Sequence, residues 1–197
     1  MENLIQIRLT LNNEQTIKLL ALQKTFASAC DEAAVIMAMN RSWHRVTLHH
    51  HAYKNLREKF PALGSQLVCN AIHTVSRASK ELFQDPLSPW ANIAKSGLPL
   101  PFLKFDGTTP VFFDKHTLTL KKNTLSIFTL DGRMQIQLSV EEMIERNLRS
   151  EKLKELSMFR KNDIFYLRFL FSKTCTGAML LKPSVRAIPN HQETLVV

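Results

Sequence analysis

The sequence predicts an α+β fold in which a β-barrel is interrupted after its first strand by a block of helices. Three observations support this prediction. Residues Leu4–Leu11, LIQIRLTL, alternate apolar and polar side chains as a half-buried strand does. From Glu14 to Phe83, apolar residues recur at three- and four-residue steps, which is the helical period. After Pro110 the sequence changes to short β-patterned runs separated by turn residues.

Three helices are predicted in the first half of the chain. The first runs from Glu14 to about Met39, with Asn12 or Asn13 as its N-cap. The second spans Val46–Lys59 and the third spans Ser65–Phe83. The third helix is amphipathic: its apolar face consists of Val68, Ala71, Ile72, Val75 and Leu82, and its opposite, polar face carries Asn70, Thr74, Arg77 and Lys80.

The next stretch, Gln84 to Pro110, contains five prolines, which disfavour a continuing helix, so we predict a connection there. In the β-patterned block that follows, turn signals at Lys121–Asn123 and Asp131–Gly132 separate short strands.

The last third of the chain is predicted to contain one helix and one hairpin. Ser139 is followed three residues later by a glutamate, the capping-box spacing, which predicts a helix over SVEEMIERNLRSEKL. The run LSMFRKNDIFYLRFLFSK predicts a hairpin that turns at KND. The tail from Cys175 has little periodicity.

Charge and cysteine content restrict the class of protein. The chain has 197 residues, a net charge of +9 and a pI of about 9.7, which suit a polyanionic partner such as nucleic acid or an acidic membrane surface. Its three cysteines form no CxxC pair, which argues against a zinc ribbon and a disulfide framework. No signal-peptide pattern and no run of ~20 apolar residues occurs. We therefore expect a soluble, cytoplasmic protein.

The histidine-rich stretch NRSWHRVTLHHHAYKNLREKF raises the possibility of a metal or catalytic site. His49, His50 and His51 are consecutive, so on a helix their side chains point about 100° apart and cannot jointly face one ion. Cys69 and His73 are four residues apart and could touch, but no third group to orient them is apparent. No GxSxG, Walker A or GxGxxG motif is present. We predict no catalytic residue, no metal site and no cofactor.

Basic and aromatic residues interleave along the helices, as is usual for a surface that binds nucleic acid. Around the second helix these residues are Trp43, Arg45, His50, Tyr53, Lys54, Arg57 and Lys59. The third helix adds its polar face, and the β block adds Lys115, Lys121, Lys122 and Arg133. The alternative interpretation is an ordinary solvated basic face, and the pattern does not discriminate DNA from RNA.

Two parts of the sequence resemble a known family. The stretch RVTLHHHAYKNLREKFPALGSQLVCNAIHTVSRASKELF resembles the helical recognition segment of TnpB (OrfB-type) proteins, the RNA-guided nucleases of insertion sequences and ancestors of type V CRISPR effectors. PVFFDKHTLTLKKNTLSIFTLDGRMQIQL and NDIFYLRFLFSK resemble the wedge domain that follows it. In that family the first strand belongs to a wedge barrel, a helical recognition lobe is inserted after it, and the chain then returns to complete the barrel.

The resemblance covers residues 1–173 and implies a division of the chain. It implies a wedge-type β-barrel from residues 1–12 and 110–173, with a helical recognition lobe, 13–109, inserted after the first strand, and a C-terminal tail, 174–197. The family continues into a RuvC-like nuclease domain with three separated acids and a CxxC…CxxC zinc insert, and this sequence contains neither. The resemblance therefore implies a nuclease-free derivative that retains the binding role of the two N-terminal lobes.

In the family these lobes hold the guide RNA and read a short DNA motif beside the target. By position, Ser65, Gln66, Cys69 and Asn70, with Phe112, Phe113, Asp114 and Lys115, match places where relatives approach that motif. Tyr53, Lys54 and Arg57 match the adjacent helix that contacts the nucleic-acid backbone. Cys69 and Asn70 differ from the polar residues often found there, and Phe112 and Phe113 are equally candidates for the barrel core. The full set of predicted nucleic-acid-binding residues is Tyr53, Lys54, Arg57, Ser65, Gln66, Asn70, Arg77, Lys80, Phe113, Asp114, Lys115, Lys121, Lys122 and Arg133.

The expected function is therefore non-catalytic binding of guide RNA and of double-stranded DNA next to a target. A chain of this size offers little surface to enclose a full heteroduplex, so we expect other protein subunits of an RNA-guided complex as partners, and no membrane. The alternatives are a truncated decoy that inhibits by binding guide RNA or a related effector, the N-terminal half of a split RNA-guided nuclease, and a DNA-binding regulator that needs no RNA.

Overall fold

The computed structural model describes residues 2–93, 95–114, 116–121, 123–138, 152–172 and 185–188. The described chain is mixed α and β, as predicted, with helices and antiparallel sheets. The helices are α1 (Asn13–Asn40), α2 (Arg45–Lys59) and α3 (Ser65–Gln84). The strands are β1 (Glu2–Arg8), β2 (Phe102–Phe105), β3 (Val111–Phe113), β4 (Leu118–Lys121), β5 (Thr124–Thr129), β6 (Gly132–Gln137), β7 (Lys152–Lys161), β8 (Ile164–Ser172) and β9 (Val185–Ile188).

Helix α1 begins at a capping box. The side chain of Asn12 accepts a hydrogen bond from the backbone N–H of Gln15 at 2.8 Å, and the Gln15 side chain accepts one from the N–H of Asn12 at 3.0 Å. The helix ends at Arg41, whose φ of 47° is left-handed and cannot continue it. The predicted N-cap and length are confirmed to within one residue.

Helix α3 buries most of the predicted apolar face: Val68, Ala71, Ile72 and Val75 are at most 1% exposed, and Leu82 is half-buried. The predicted polar face is only partly accessible. Thr74 is 3% exposed and donates a hydrogen bond from its hydroxyl to the carbonyl of Asn70, one turn back in the helix. Expecting Thr74 on an open face was therefore wrong, because α3 packs against α1, α2 and β3 and has little free circumference.

A four-stranded antiparallel sheet joins the first strand of the chain to three later strands. Its strand order is β1-β8-β7-β3. The strand β1 pairs with β8, so the three helices form an excursion between two strands of one sheet. β7 and β8 form the predicted hairpin, whose turn residues Asn162 and Asp163 both have positive φ, the geometry that suits the twist of a two-residue hairpin.

A second sheet contains β4, β5 and β6, linked by two tight turns. The pairs Lys121↔Thr124 and Thr129↔Gly132 leave two residues in each turn, and the φ of Gly132 is +99°. The turn predicted at Lys121–Asn123 is therefore confirmed, and the one predicted at Asp131–Gly132 is confirmed to within one residue, because Gly132 is already the first residue of β6.

The connection predicted over Gln84–Pro110 contains a strand that was not expected. β2 lies in the proline-containing stretch where no strand was predicted, and it pairs with β9 from the tail. Each strand is four residues long, too short for a periodic signal, and the two segments are stabilised by each other. The helix predicted from Ser139 falls mainly on residues 139–151, outside the described ranges, and its expected end at Lys152 and Leu153 is in strand β7.

The described strands do not form the expected closed barrel. They form three separate sheets, and β1 and β3 are the edges of the largest. One continuous core nevertheless joins the helices to the sheets; its largest fully buried side chains include Phe26, Phe165, Phe169 and Phe171. None of the described helices combines the length and the apolar character that crossing a lipid bilayer requires.

Candidate nucleic-acid interface

A cleft of about 320 Å³ lies where α3 meets the edge strand β3. Its walls come from the start of α2, one side of α3, the end of β3 and the beginning of β7. We call it the α3–β3 cleft; the lining residues used below are Arg45, Gln66, Asn70, His73, Arg77, Phe112, Asp114, Lys154 and Glu155. Residues 66–77 and 112–114, separated in sequence, are thus brought to one place by tertiary packing.

Asn70 attaches α3 to the sheet edge. Its side-chain Nδ2 donates a hydrogen bond to the carbonyl of Phe112 at 2.8 Å. β3 is an edge strand, so some of its carbonyls lack a strand partner, and Asn70 satisfies one of them. The Oδ1 of Asn70 faces Gln66 Nε2 at 3.5 Å. Gln66 makes no shorter hydrogen bond with any described residue and can turn its amide toward a ligand.

Arg77 forms a second set of contacts between α3 and the sheet. Its guanidinium lies 2.6 Å from the carboxylate of Glu155 on β7 and 4.4 Å from the centroid of the Phe112 ring. The Arg77 and Glu155 side chains are 22% and 14% exposed, so the pair is only partly screened by water. Arg77, predicted to bind nucleic acid, is therefore already engaged in holding the two elements together.

Two exposed cations lie near His73 at the α3 side of the cleft. Arg45 and Lys80 are exposed and make no ion pair with any residue in the described ranges. Loss of water around His73 lowers the pKa of its imidazole, and the nearby cations Arg45, Arg77 and Lys80 lower it further. Burial and the three cations thus favour the neutral imidazole of His73, and the same cations favour an anionic ligand nearby.

The histidine that contacts Cys69 is not the one that the sequence suggested. Cys69 Sγ lies 3.7 Å from His49 Nε2 of α2 rather than against His73. His49 also stacks on Tyr53, with ring centroids 4.8 Å apart and planes 20° apart. Burial raises the pKa of the Cys69 thiol, with Arg45 acting in the opposite direction, so the thiol form is favoured over the nucleophilic thiolate. In the part of the chain that the structure describes, no group of three or more metal-ligating side chains converges.

On α2, the three predicted contacts have different environments. Lys54 is exposed and forms no ion pair within the described chain. Tyr53 is half-buried against His49. Arg57 donates a hydrogen bond to the carbonyl of Leu63, in the loop before α3, and so serves to fix that loop. Only Lys54 of these three presents an uncommitted charge.

The predicted residues at the start of α3 and the end of β3 differ in how far they are exposed to solvent. Ser65 is exposed at the first position of α3. Phe113 is 7% exposed and belongs to the core, so Phe112, not Phe113, is the half-exposed aromatic of this strand. The carboxylate of Asp114 accepts hydrogen bonds from the N–H groups of His116 and Thr117, both at 3.0 Å, and shapes the turn after β3.

The predicted residues of the β4–β6 sheet do not line the cleft. Lys121 is exposed at the end of β4. Arg133 donates to the carbonyl of His116 at 2.6 Å and to Ser126 Oγ at 3.1 Å, so it holds local structure. Lys115 and Lys122 lie outside the described residues.

Several polar residues that line the cleft were not in the predicted set of contacts, among them Arg45, His73, Lys154 and Glu155. Arg45 had been noted only as part of the basic composition, although its place at the first position of α2 marks it as exposed. Lys154 and Glu155 directly follow a segment whose pattern predicts a helix. No pattern in the neighbouring sequence indicates that they lie opposite α3.

Comparison with known proteins adds no relative: no family model matches the chain, and no curated protein matches it either.

Proposed function

We propose that this protein binds nucleic acid through the α3–β3 cleft and the adjoining exposed side of α2, without catalysing a reaction. One observation carries this proposal. The two stretches matched to the motif-reading places of TnpB-like proteins, around Gln66–Asn70 and Phe112–Asp114, come together in one cleft. Exposed cations without carboxylate partners in the described chain, Arg45 and Lys80, lie beside it.

The proposed ligands are guide RNA and double-stranded DNA beside a target, as in the TnpB-like resemblance. The path of the chain supports this part of the proposal, because β1 pairs with β8 after the helical excursion, the order expected for a wedge-type barrel with an inserted recognition lobe. The proposal includes that barrel, a cytoplasmic location, other protein subunits of an RNA-guided complex as partners and no cofactor.

Distinct roles are proposed for the residues of the cleft and of the surface beside it. Arg45, Lys54 and Lys80 neutralise phosphates, which sets the affinity and its dependence on salt. The amide of Gln66 can both donate to and accept from a base edge. Asn70 and Arg77 keep α3 fixed against β3 and hold the cleft in shape, since both already bond to protein groups.

The first experiment is to purify the protein from its native host at moderate salt and to sequence the RNA that accompanies it. One discrete structured RNA with a variable end supports the RNA-guided role. Heterogeneous RNA, or none, combined with tight binding to duplex DNA that ribonuclease leaves unchanged, would instead indicate a DNA-binding regulator.

A second experiment tests the surface itself. Arg45→Ala with Lys80→Ala removes two charges beside the cleft, and Lys24→Ala with Lys161→Ala removes two exposed charges elsewhere. Binding to a fluorescent duplex is measured from 50 to about 200 mM salt. The first double variant is expected to lower the slope of log K against log salt by about 2, one for each lost phosphate contact. Equal slopes for the two double variants would place binding on another surface.

A further inference from the structure

A second cavity, of about 540 Å³, lies beyond the end of α3. Its lining comes from the link between α1 and α2, the last turn of α3 and the connection that follows α3. We call it the Trp43 pocket; the residues used below are Trp43, Phe83, Gln84, Asn92 and Lys95. Its volume is in the range of about 300 to 1,000 Å³ that is usual for small-ligand sites.

The aromatic part of this pocket is held in place. The Trp43 and Phe83 ring centroids are 5.3 Å apart with the planes tilted by 51°. Phe83 is 3% exposed and fixed in the core, and the carbonyl of Trp43 accepts a hydrogen bond from Ser76 Oγ at 2.7 Å. Trp43 itself is half-exposed. A rigid indole with an accessible surface is well suited to stack on a planar ring, because little conformational freedom is lost on binding.

The polar part of the pocket has uncommitted groups. Gln84, Asn92 and Lys95 are exposed, and their side chains make no hydrogen bond or ion pair with any residue of the described ranges. Each amide can donate and accept at once, as the edge of a nucleobase requires. The nearby carboxylate of Asp85 accepts a hydrogen bond from the N–H of Leu87 at 2.9 Å and is used in a turn.

Two walls of the pocket are close in sequence to cations of the first surface. Trp43 is two residues before Arg45, and Phe83 is three residues after Lys80 on the same helix. Among the described residues, the pocket wall contains Lys95 and no carboxylate. An aromatic ring, two amides and an ammonium group next to a positive surface match a base with its phosphate better than a purely apolar ligand.

We propose that the Trp43 pocket receives one unstacked base of a single-stranded nucleic acid, with Trp43 stacking on the base and Lys95 on the adjoining phosphate. Gln84 and Asn92 contact the base edge. The inference rests on the proposed function and adds to it a single-strand site, distinct from the α3–β3 cleft. A strand bound there passes from the pocket along Lys80 and Arg45.

Tryptophan fluorescence tests whether a base stacks on Trp43. The chain has two tryptophans, so Trp90→Phe, checked for folding by circular dichroism, leaves Trp43 as the only emitter. An eight-residue oligothymidine is titrated into this variant, and a labelled duplex is titrated in parallel. We expect saturable quenching by the oligothymidine. In the same background Lys95→Ala is expected to weaken its binding several-fold and to lower the salt slope by about 0.7, while Lys161→Ala changes neither.

A third variant separates stacking from charge. Trp43→Leu keeps an apolar contact on Phe83, and its binding is followed by the fluorescence anisotropy of a labelled oligothymidine. It is expected to weaken that binding about tenfold, the effect of losing one stacked base. If oligothymidine neither quenches Trp43 nor responds to Lys95→Ala while the duplex still binds, the pocket assignment is overturned and the proposed function stands. If neither nucleic acid binds, both fail. Quenching by an apolar dye that oligothymidine does not displace would identify an apolar-ligand pocket and overturn the assignment.

Discussion

Helices α2 and α3 carry similar mixtures of basic, polar and apolar residues but use them differently. α2 buries only Leu48, Ala52 and Leu56 and leaves Lys54 in solvent. α3 is packed on three sides by α1, α2 and β3, and two residues of its polar face, Asn70 and Arg77, are bonded to β3 and β7. A basic residue in a helix is therefore available to a ligand only where the fold leaves that face free.

The largest expected effect tests whether Arg77 is structural. Glu155→Ala removes the carboxylate that faces the Arg77 guanidinium at 2.6 Å in a half-buried position. We expect the free energy of unfolding to fall by about 2 to 3 kcal/mol, below the range for fully buried pairs because some water reaches this one. Urea denaturation followed by circular dichroism measures the change.

The control for this prediction is Asp163→Asn, which removes the 92% exposed carboxylate that faces Arg160 and keeps a residue type that tolerates the positive φ of this turn. Loss of this exposed ion pair is expected to lower the free energy of unfolding by about 0.5 kcal/mol or less. Equal losses in the two variants would show that Arg77 has no special part in joining α3 to the sheet.

The next effect concerns the junction between α3 and the second sheet. A Cβ added at Gly64 would lie 2.8 Å from Cε1 of Phe128 on β5, closer than van der Waals contact allows. Gly64→Ala should therefore destabilise the protein by about 1 to 2 kcal/mol. Gly107→Ala is the matched control, because nothing lies within 4 Å of its added Cβ. In a Phe128→Ala background the penalty at Gly64 should disappear; its persistence would refute the contact.

A smaller effect separates two neighbouring cations of α2. Arg57→Ala removes the hydrogen bond to the Leu63 carbonyl and should lower the free energy of unfolding by about 1 kcal/mol. Lys54→Ala should change stability by less than about 0.5 kcal/mol, since its ammonium is exposed, but should weaken binding to nucleic acid. Thermal unfolding and a binding titration on both variants distinguish the roles. If Lys54→Ala is less stable than Arg57→Ala, the structural role belongs to Lys54 and not to Arg57.

The smallest effect is a pH dependence at His73. Desolvation, then Arg45, Arg77 and Lys80, lowers its pKa below the ordinary 6.5, so the unfolded chain takes up the proton first as the pH falls. This contribution to stability is present above pH 6.5 and is lost as the pH falls through the lowered pKa of the folded state. His73→Gln should flatten the stability profile in that window, as urea unfolding at several pH values can show. An unchanged profile would mean that His73 is not under the influence of these cations.

Local signals were sufficient for much of the fold. The Asn12 capping box, the apolar face of α3 and the turns at Asn162–Asp163 and Gly132 were predicted because each depends on residues close in sequence. The β2–β9 pair was missed because two four-residue strands have no stability until they meet. Closure of the predicted barrel likewise depends on strand pairings that local patterns do not specify.

For the candidate site too, some features follow from the sequence alone and others only from the tertiary structure. Sequence alone determined the basic, amphipathic character of α2 and α3, their lengths, and the polar residue types at the start of α3, because composition and periodicity are properties of the chain itself. Tertiary structure alone decided which of those residues are available. It placed Arg77 against Glu155 and Phe113 in the core, and it left Arg45, Lys54 and Lys80 in solvent. The reason is physical: a side chain's partners are set by the neighbouring elements, and those come from distant parts of the sequence.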